Sequence, residues 1–189
     1  MKQNKIFQFE KLFFVPYTRM HVQKYHEWMS DPELLNATAS EPLTLEEEYL
    51  NQISWAHDKD KYTFILEVES DTLTGIKGLM IGDVNLFLQD GTAEIEIMIA
   101  EKSYHRMGYG WKGVKGMIYY GIKYLNIQNF TCKIAYKNIG SQRLFHKLGF
   151  VEVSRSEYFH EVELHYQIKD TDRKYYNSLS IHDEEFTEN

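Results

Sequence analysis

The chain has 189 residues, about the length of one domain, and 43% of them are apolar and 15% aromatic, a composition that rules out a disordered regulator. Folding at this length buries roughly 70% of the surface exposed by the unfolded chain, so a core can form without disulfides or metals. With 21 basic and 28 acidic residues the net charge is −7, which argues against non-specific binding to nucleic acid or an anionic membrane; the single cysteine, Cys132, has no internal partner, and the first residues lack a long apolar run, so a cytoplasmic setting is expected.

The first strand is expected over residues 11–17, closed by Pro16. Thr18 can then cap a helix with His21, Val22, Tyr25, Trp28 and Met29 on one face, which Asp31-Pro32 ends. Thr44-Leu45-Glu46-Glu47 is a capping box and predicts a second helix to about Ala56. Tyr62, Phe64, Leu66 and Val68 alternate with less apolar neighbours, and a turn-rich stretch over 71–78 leads into LMIGDVNLFL, so a hairpin follows. Asp90-Gly91 makes the next turn, before a strand that places Ile95, Ile97 and Ile99 on one face and Glu94, Glu96 and Met98 on the other.

Helical spacing of Val114, Met117, Ile118, Gly121, Ile122 and Leu125 predicts a helix over 109–125, followed by a strand over 130–136. A short helix over 141–148 stops at Gly149, and VEVSRSEYF with VELHYQI suggests a last hairpin turning near His160-Glu161. The acidic, polar segment after about residue 170 reads as a loosely held tail. Antiparallel strands leading into a strand–helix–strand unit indicate an α+β fold built on one mixed, mostly antiparallel sheet of about seven strands with flanking helices.

The densest cluster of unusual residues is His105-Arg106-Met107-Gly108-Tyr109-Gly110-Trp111-Lys112-Gly113, between a strand and a helix start. Bare amides at a helix N-terminus form an anion site, and glycines let a phosphate approach closely. Lys102, His105, Arg106, Lys112 and Lys115 gather here in an otherwise acidic chain, as a polyphosphate ligand would require. Gly108, Gly110 and Gly113 also spell the dinucleotide fingerprint, but the loop is long and residues 126–133 hold no acid for a ribose, which disfavours a nicotinamide oxidoreductase.

EIEIMIAEKSYHRMGYGWKGV, followed by residues 138–150 with their Asn138 and Leu148-Gly149-Phe150, resembles the acetyl-CoA core of the GCN5-related N-acetyltransferase (GNAT) superfamily. ASEPLTLEEEY, GDVNLFL and EIEIMIAE resemble more narrowly its eukaryotic N-acetyltransferase nine branch, linked to acetylation of tubulin N-termini. The resemblance implies a GNAT domain over 9–168, with 169–189 as the acidic tail, and a sheet splayed between its fourth and fifth strands. It implies acetyl-CoA as co-substrate, with pantetheine along Met98, Ile99 and Ala100 and pyrophosphate on the loop from Arg106 through Met107, Gly108 and Tyr109 to Gly110. Asn138 and Ser141 match positions that contact pantetheine or adenosine, with Phe145 and Lys147 at the same end. Two positions depart from the family pattern: His105 stands where the motif opens with Arg or Gln, and Phe145 where many members carry a tyrosine that protonates the leaving thiolate.

Acetyl transfer requires an amine to lose a proton and attack the thioester carbonyl. Glu96, acting through water, is the first choice of base, and Glu94 its same-face alternative. A lysine costs about 3.5 kcal/mol more than an α-amine to deprotonate at neutral pH, which with the resemblance points to protein N-termini, tubulin among them, acetylated directly in a ternary complex. Cys132, on a buried-looking strand, is expected to be inert. The acceptor groove is expected between residues 36–43 and the final hairpin, with Glu41 meeting a cationic terminus and Tyr158 or Tyr166 gripping peptide backbone. The spacing of His160 and His165, and of His21 and His26, places each pair on opposite faces, so no metal is expected. The alternative to an enzyme is an inactive scaffold of the same fold that binds microtubules or another protein.

Overall fold

The computed structural model describes residues 5–187. Among them one nine-stranded sheet runs in the order β7-β8-β6-β5-β4-β3-β2-β1-β9, with six α-helices. The strands are β1 (Lys5–Phe9), β2 (Leu12–Pro16), β3 (Lys61–Val68), β4 (Leu79–Gln89), β5 (Thr92–Ile99), β6 (Asn129–Ala135), β7 (Val151–Ser156), β8 (Glu161–Gln167) and β9 (Asp183–Glu185). The helices are α1 (Val22–Trp28), α2 (Pro32–Thr38), α3 (Leu45–His57), α4 (Tyr109–Leu125), α5 (Ile139–Lys147) and α6 (Asp170–Ser178). Every pairing is antiparallel except β5 with β6.

The sheet is covered on both faces, which is why all eight residues of β3 are buried. Ile95 of β5 and Phe130 and Cys132 of β6 join the larger core, packing with Val114, Met117 and Ile118 of α4. Met98 of β5 turns the other way, into a second core with Tyr17, Val22, Tyr25, Trp28 and Met29. Alternation along β5 therefore puts Glu94 and Glu96 on the face covered by α1 and α3, away from α4.

Several elements differ from the sequence expectation. Nine strands replace about seven, because β1 and β9 add an edge to β2. Asp31-Pro32 ends α1 but also starts α2: the Asp31 carboxylate accepts the Glu33 amide at 2.8 Å, and proline is tolerated in a first turn, whose amide has no partner to lose. Residues 170–185 are not loosely held. Tyr176 of α6 is buried, and β9 pairs with β1 while Tyr124 donates to the Asp183 carboxylate and Lys77 pairs with Glu184. No described helix is long and apolar enough to cross a membrane.

Candidate active site

Two strands part at the centre of the sheet. β5 and β6 pair only at Thr92–Asn129, Ala93–Phe130 and Glu94–Thr131, although β5 continues to Ile99 and β6 to Ala135. Beyond Glu94 the β6-facing backbone edge of β5 is thus unpaired by sheet. At the far end the Ile81 carbonyl accepts both the Ala100 amide (2.8 Å) and the Glu101 amide (3.2 Å), the geometry of a bulge, which bends the chain out of the sheet. Met98, Ile99 and Ala100 lie on this end, with Met98 and Ala100 buried and Ile99 half-buried.

The loop that follows is shaped by its backbone. Arg106 (φ 63°) and Gly108 (φ 84°) are both left-handed, a conformation that turns neighbouring amides inward as an anion nest. Gly108 is the N-cap of α4 and no side chain caps that helix, so its first amides stay available. A Cβ at Gly108 would meet nothing within 4 Å, so the N-cap itself faces open space. His105, which is exposed, donates from Nε2 to the Ile99 carbonyl at 2.7 Å, clamping the loop to the end of β5. Met107 is 59% exposed and Tyr109 is stacked edge-on against Tyr104.

The expected convergence of five basic residues on this loop needs correction. Lys102 pairs with Glu33 of α2 at 2.6 Å, Lys112 with Glu10 at 3.5 Å, and Lys115 packs its ammonium on Trp111 and Tyr175 at 4.3 and 4.8 Å from the ring centroids. Sequence proximity does not set direction, because successive residues of a helix point about 100° apart. Among the described residues Arg106 and Lys147 have no ion-pair partner.

α5 stands beside the loop, with Leu144 Cδ2 3.4 Å from where a Cβ would sit on Gly110. Asn138 is its N-cap: the side-chain oxygen accepts the Ser141 amide at 3.1 Å, leaving the Asn138 amide group and Ser141 hydroxyl for a ligand. Lys147 is exposed. Phe145 is a correction, since its ring is 2% exposed and edge-on to Phe150 at 5.0 Å, in the core and not lining a cleft.

On the opposite sheet face the two acids separate. Glu94 pairs with Lys133 of β6 at 2.8 Å. Glu96 lies in a cleft, open to water yet surrounded by protein, and its pKa is raised by that desolvation and then by the like charge of Glu94, against the opposing pull of Lys61 and Lys133. Beneath it lies a polar group absent from the sequence reading. Asp83 of β4 is 2% exposed and accepts from Asn85 Nδ2 at 2.8 Å, while Thr63 of β3 donates to Asn85 Oδ1 at 2.6 Å. Burial lifts the Asp83 carboxyl to about 7, with Asn85 and Lys61 opposing and Glu96 adding to the rise. Lys61 stands over the Trp55 and Phe87 rings at 3.0 and 4.6 Å, and burial lowers its ammonium to about 8 despite Asp83, Glu96 and Asp58. The signal was present in GDVNL, where polar residues alternate within a strand that is otherwise apolar.

α1 and α3 roof this face, and α1 is tied to the strand end. Trp28 Nε1 and Lys24 Nζ both bond Glu101, at 2.8 and 3.0 Å, just after β5. Glu41 is exposed between α2 and α3, and Tyr158 is 85% exposed at the β7–β8 turn, against Phe159. Tyr166 does not join them. Along β8 it alternates with His165 and stacks on Phe150 at 5.2 Å, on the α4 side of the sheet, where burial and Asp172 raise its phenol to about 12. Cys132 is buried and its thiol pushed well up by desolvation, so it is a poor nucleophile.

Comparison with known proteins agrees with this fold. The family model of the acetyltransferase (GNAT) domain matches residues 11–151. The chain is 41% identical over 194 residues to alpha/beta-tubulin-N-acetyltransferase 9 of Homo sapiens, covering 98% of this chain and 94% of that one. Spermidine N-acetyltransferase from Vibrio cholerae in complex with CoA and spermine superposes with a TM-score of 0.73 at 19% identity, covering 87% of this chain and 98% of that one. The ribosomal L7/L12 alpha-N-protein acetyltransferase RimL in complex with coenzyme A gives 0.73 at 13% identity, over 89% of this chain and 99% of that one. At these identities the two structures establish a common fold.

Proposed function

The chain belongs to the GNAT acetyltransferase family, and from that premise we propose that it moves the acetyl group of acetyl-CoA onto the α-amine of a protein N-terminus, with tubulin chains as the first acceptors to test. One observation carries the donor half: the unpaired edge of β5 ends beside a helix N-terminus capped by Gly108 alone. Acetyl-CoA supplies an activated carbonyl. Amides from Arg106 to Gly110 would hold its diphosphate, Met98, Ile99 and Ala100 its pantetheine, and Asn138, Ser141 and Lys147 the same end of the carrier. His105 orients the loop through Ile99, and Phe145 supports α5 from within the core.

The acceptor enters from the α1–α3 face, where Glu96 takes the ammonium proton through water. Glu94 is the weaker candidate, because Lys133 already neutralises it. Glu41 and Tyr158 would meet the incoming peptide from the two sides of the groove. With Phe145 lacking a proton and Cys132 inert, acetyl passes directly from sulfur to nitrogen. The name of the human relative supports tubulin as the acceptor, and the lower cost of deprotonating an α-amine supports the α-amine reading.

Mass spectrometry tests it. A peptide with a free tubulin N-terminus, one with a blocked terminus and free lysines, and spermidine are incubated separately with acetyl-CoA and protein. Acetylation of the free terminus at least 10-fold faster than of the other two is expected. Equal or greater transfer to lysine or spermidine would overturn the N-terminal reading.

A further inference from the structure

Asp83 is an acid buried within the sheet whose one side-chain hydrogen bond is from Asn85. Its place on β4 faces Met98, while Asn85 faces Glu96, so Asp83 and Glu96 are diagonal neighbours on one sheet face, about 7–8 Å apart by backbone. That separation admits one bridging water between the carboxyls. Ile65 and Met98 lie directly across from Asp83 and keep it dry, while the charged and polar groups that act on this face are Lys61 from β3, Asn85 from its own strand, Glu96 from β5, and Tyr17, Tyr25 and Glu48 from the covering layer. Burial keeps both phenols protonated, and the Tyr17 hydroxyl is a buried group with no hydrogen-bond partner. Glu96 alone of the two acids opens to the cleft.

We propose that Asp83 receives, through Glu96, the proton lost by the acceptor ammonium and holds it against Asn85 and Lys61 until acetyl transfer is complete. The inference rests on Glu96 as the base. Asp83 does not touch the acceptor and is a positioning residue for the proton. The balance is complete: the C–N bond forms as the C–S bond breaks, and the nitrogen loses two protons. The first passes by Glu96 to Asp83, and the second goes to the departing sulfur. Asp83 then returns its proton to solvent by the same route. Above neutral pH Asp83 is ionised, with Lys61 and Asn85 favouring that form, and the dry site and the charge of Glu96 make the neutral carboxyl a favourable resting place.

The test has two independent readouts. In the full chain, Asp83→Asn and Glu96→Gln are compared with wild type from pH 5.5 to 9.5, using saturating acetyl-CoA and an acceptor peptide that the wild type turns over. Asp83→Asn is expected to lower kcat about 100-fold between pH 7 and 8, where Asp83 is ionised and the acceptor is still an ammonium, leave the KM for acetyl-CoA unchanged, and approach wild type both near pH 5.5, where the carboxyl already carries its proton, and near pH 9.5, where the amine arrives already neutral. A loss uniform across pH, or no loss, overturns the proposal. Carbon-13 titration of the aspartate carboxyls needs no turnover. Asp83 should titrate near neutrality in wild type and at lower pH in Glu96→Gln, and titration with the ordinary carboxylates in wild type would equally overturn it. Full activity in Glu96→Gln would instead remove the reading of Glu96 as base, whereas a slow Glu96→Gln beside an unchanged Asp83→Asn would remove Asp83 alone.

Discussion

At the scale of single residues, the candidate donor site depends more on what is missing than on what is present. Gly108 has φ 84°, caps α4 without a side chain, and faces open space, so a substitution there is strained by the backbone but not by neighbours. The strain is about 1–2 kcal/mol for an ordinary L-residue and less for Asn or Asp, which tolerate the left-handed region. Gly108→Asp and Gly108→Asn therefore differ chiefly in charge. Calorimetry with CoA should show at least a 100-fold loss of affinity for the Asp variant and no more than about a 10-fold loss for Asn, with both folded. An Asp variant that binds CoA as wild type does would put the diphosphate elsewhere. The motif was legible because its glycines answer to backbone geometry, Gly108 at a positive φ and Gly113 at a close packing contact. Asp83 was not, because one acid in a strand reads as a solvated position until the second layer of helices covers it.

Among elements, those with a strong local rule were readable. α4 occupies the expected residues 109–125, and α3 begins at its capping box, where Thr44 and Glu47 exchange bonds. β9 has the sequence DEE and no apolar signal; it exists because its backbone pairs with β1 and its acids meet Lys5 and Lys77. α2 was hidden by a proline that both stops one helix and starts another. Packing of α4 on β5 is likewise tertiary, and Gly113 shows its tightness: a Cβ there would lie 2.4 Å from Ile97 Cδ1 and 3.3 Å from Leu66 Cδ1. Gly113→Ala should cost about 2–3 kcal/mol from overpacking, offset by about 1 kcal/mol of helix propensity, and lower Tm by roughly 2–8 °C. Gly110→Ala, 3.4 Å from a single side-chain carbon, should leave Tm unchanged or higher. Equal melting of both variants in calorimetric scans would contradict a helix seated on β5 at this distance.

For the whole molecule, the polar group buried between sheet and helices makes stability depend on pH in a direction that the net charge does not predict. The Asp83 carboxyl titrates at about 7 when folded and near about 3.9 when unfolded. Between those values the folded state holds the extra proton, so stability contributed by this group is present at low pH and falls as pH rises towards 7. The loss is on the order of 2–4 kcal/mol. Lys61 behaves in the opposite sense, because its ammonium is lowered to about 8 from an unfolded value near about 10.4. From pH 8 upward the folded state gives up its proton first, and stability returns. Together the two groups place the weakest point of the molecule between pH 7 and 8, where both are charged inside the fold. Urea unfolding across pH 4–10 should show that minimum, and Asp83→Asn should fill its acidic side, gaining stability over wild type at pH 7.5 while matching it near pH 4. An Asp83→Asn chain with the wild-type dependence at every pH would mean that the carboxyl is ionised at no cost. The covering helices would then leave far more water at Asp83 than its burial implies.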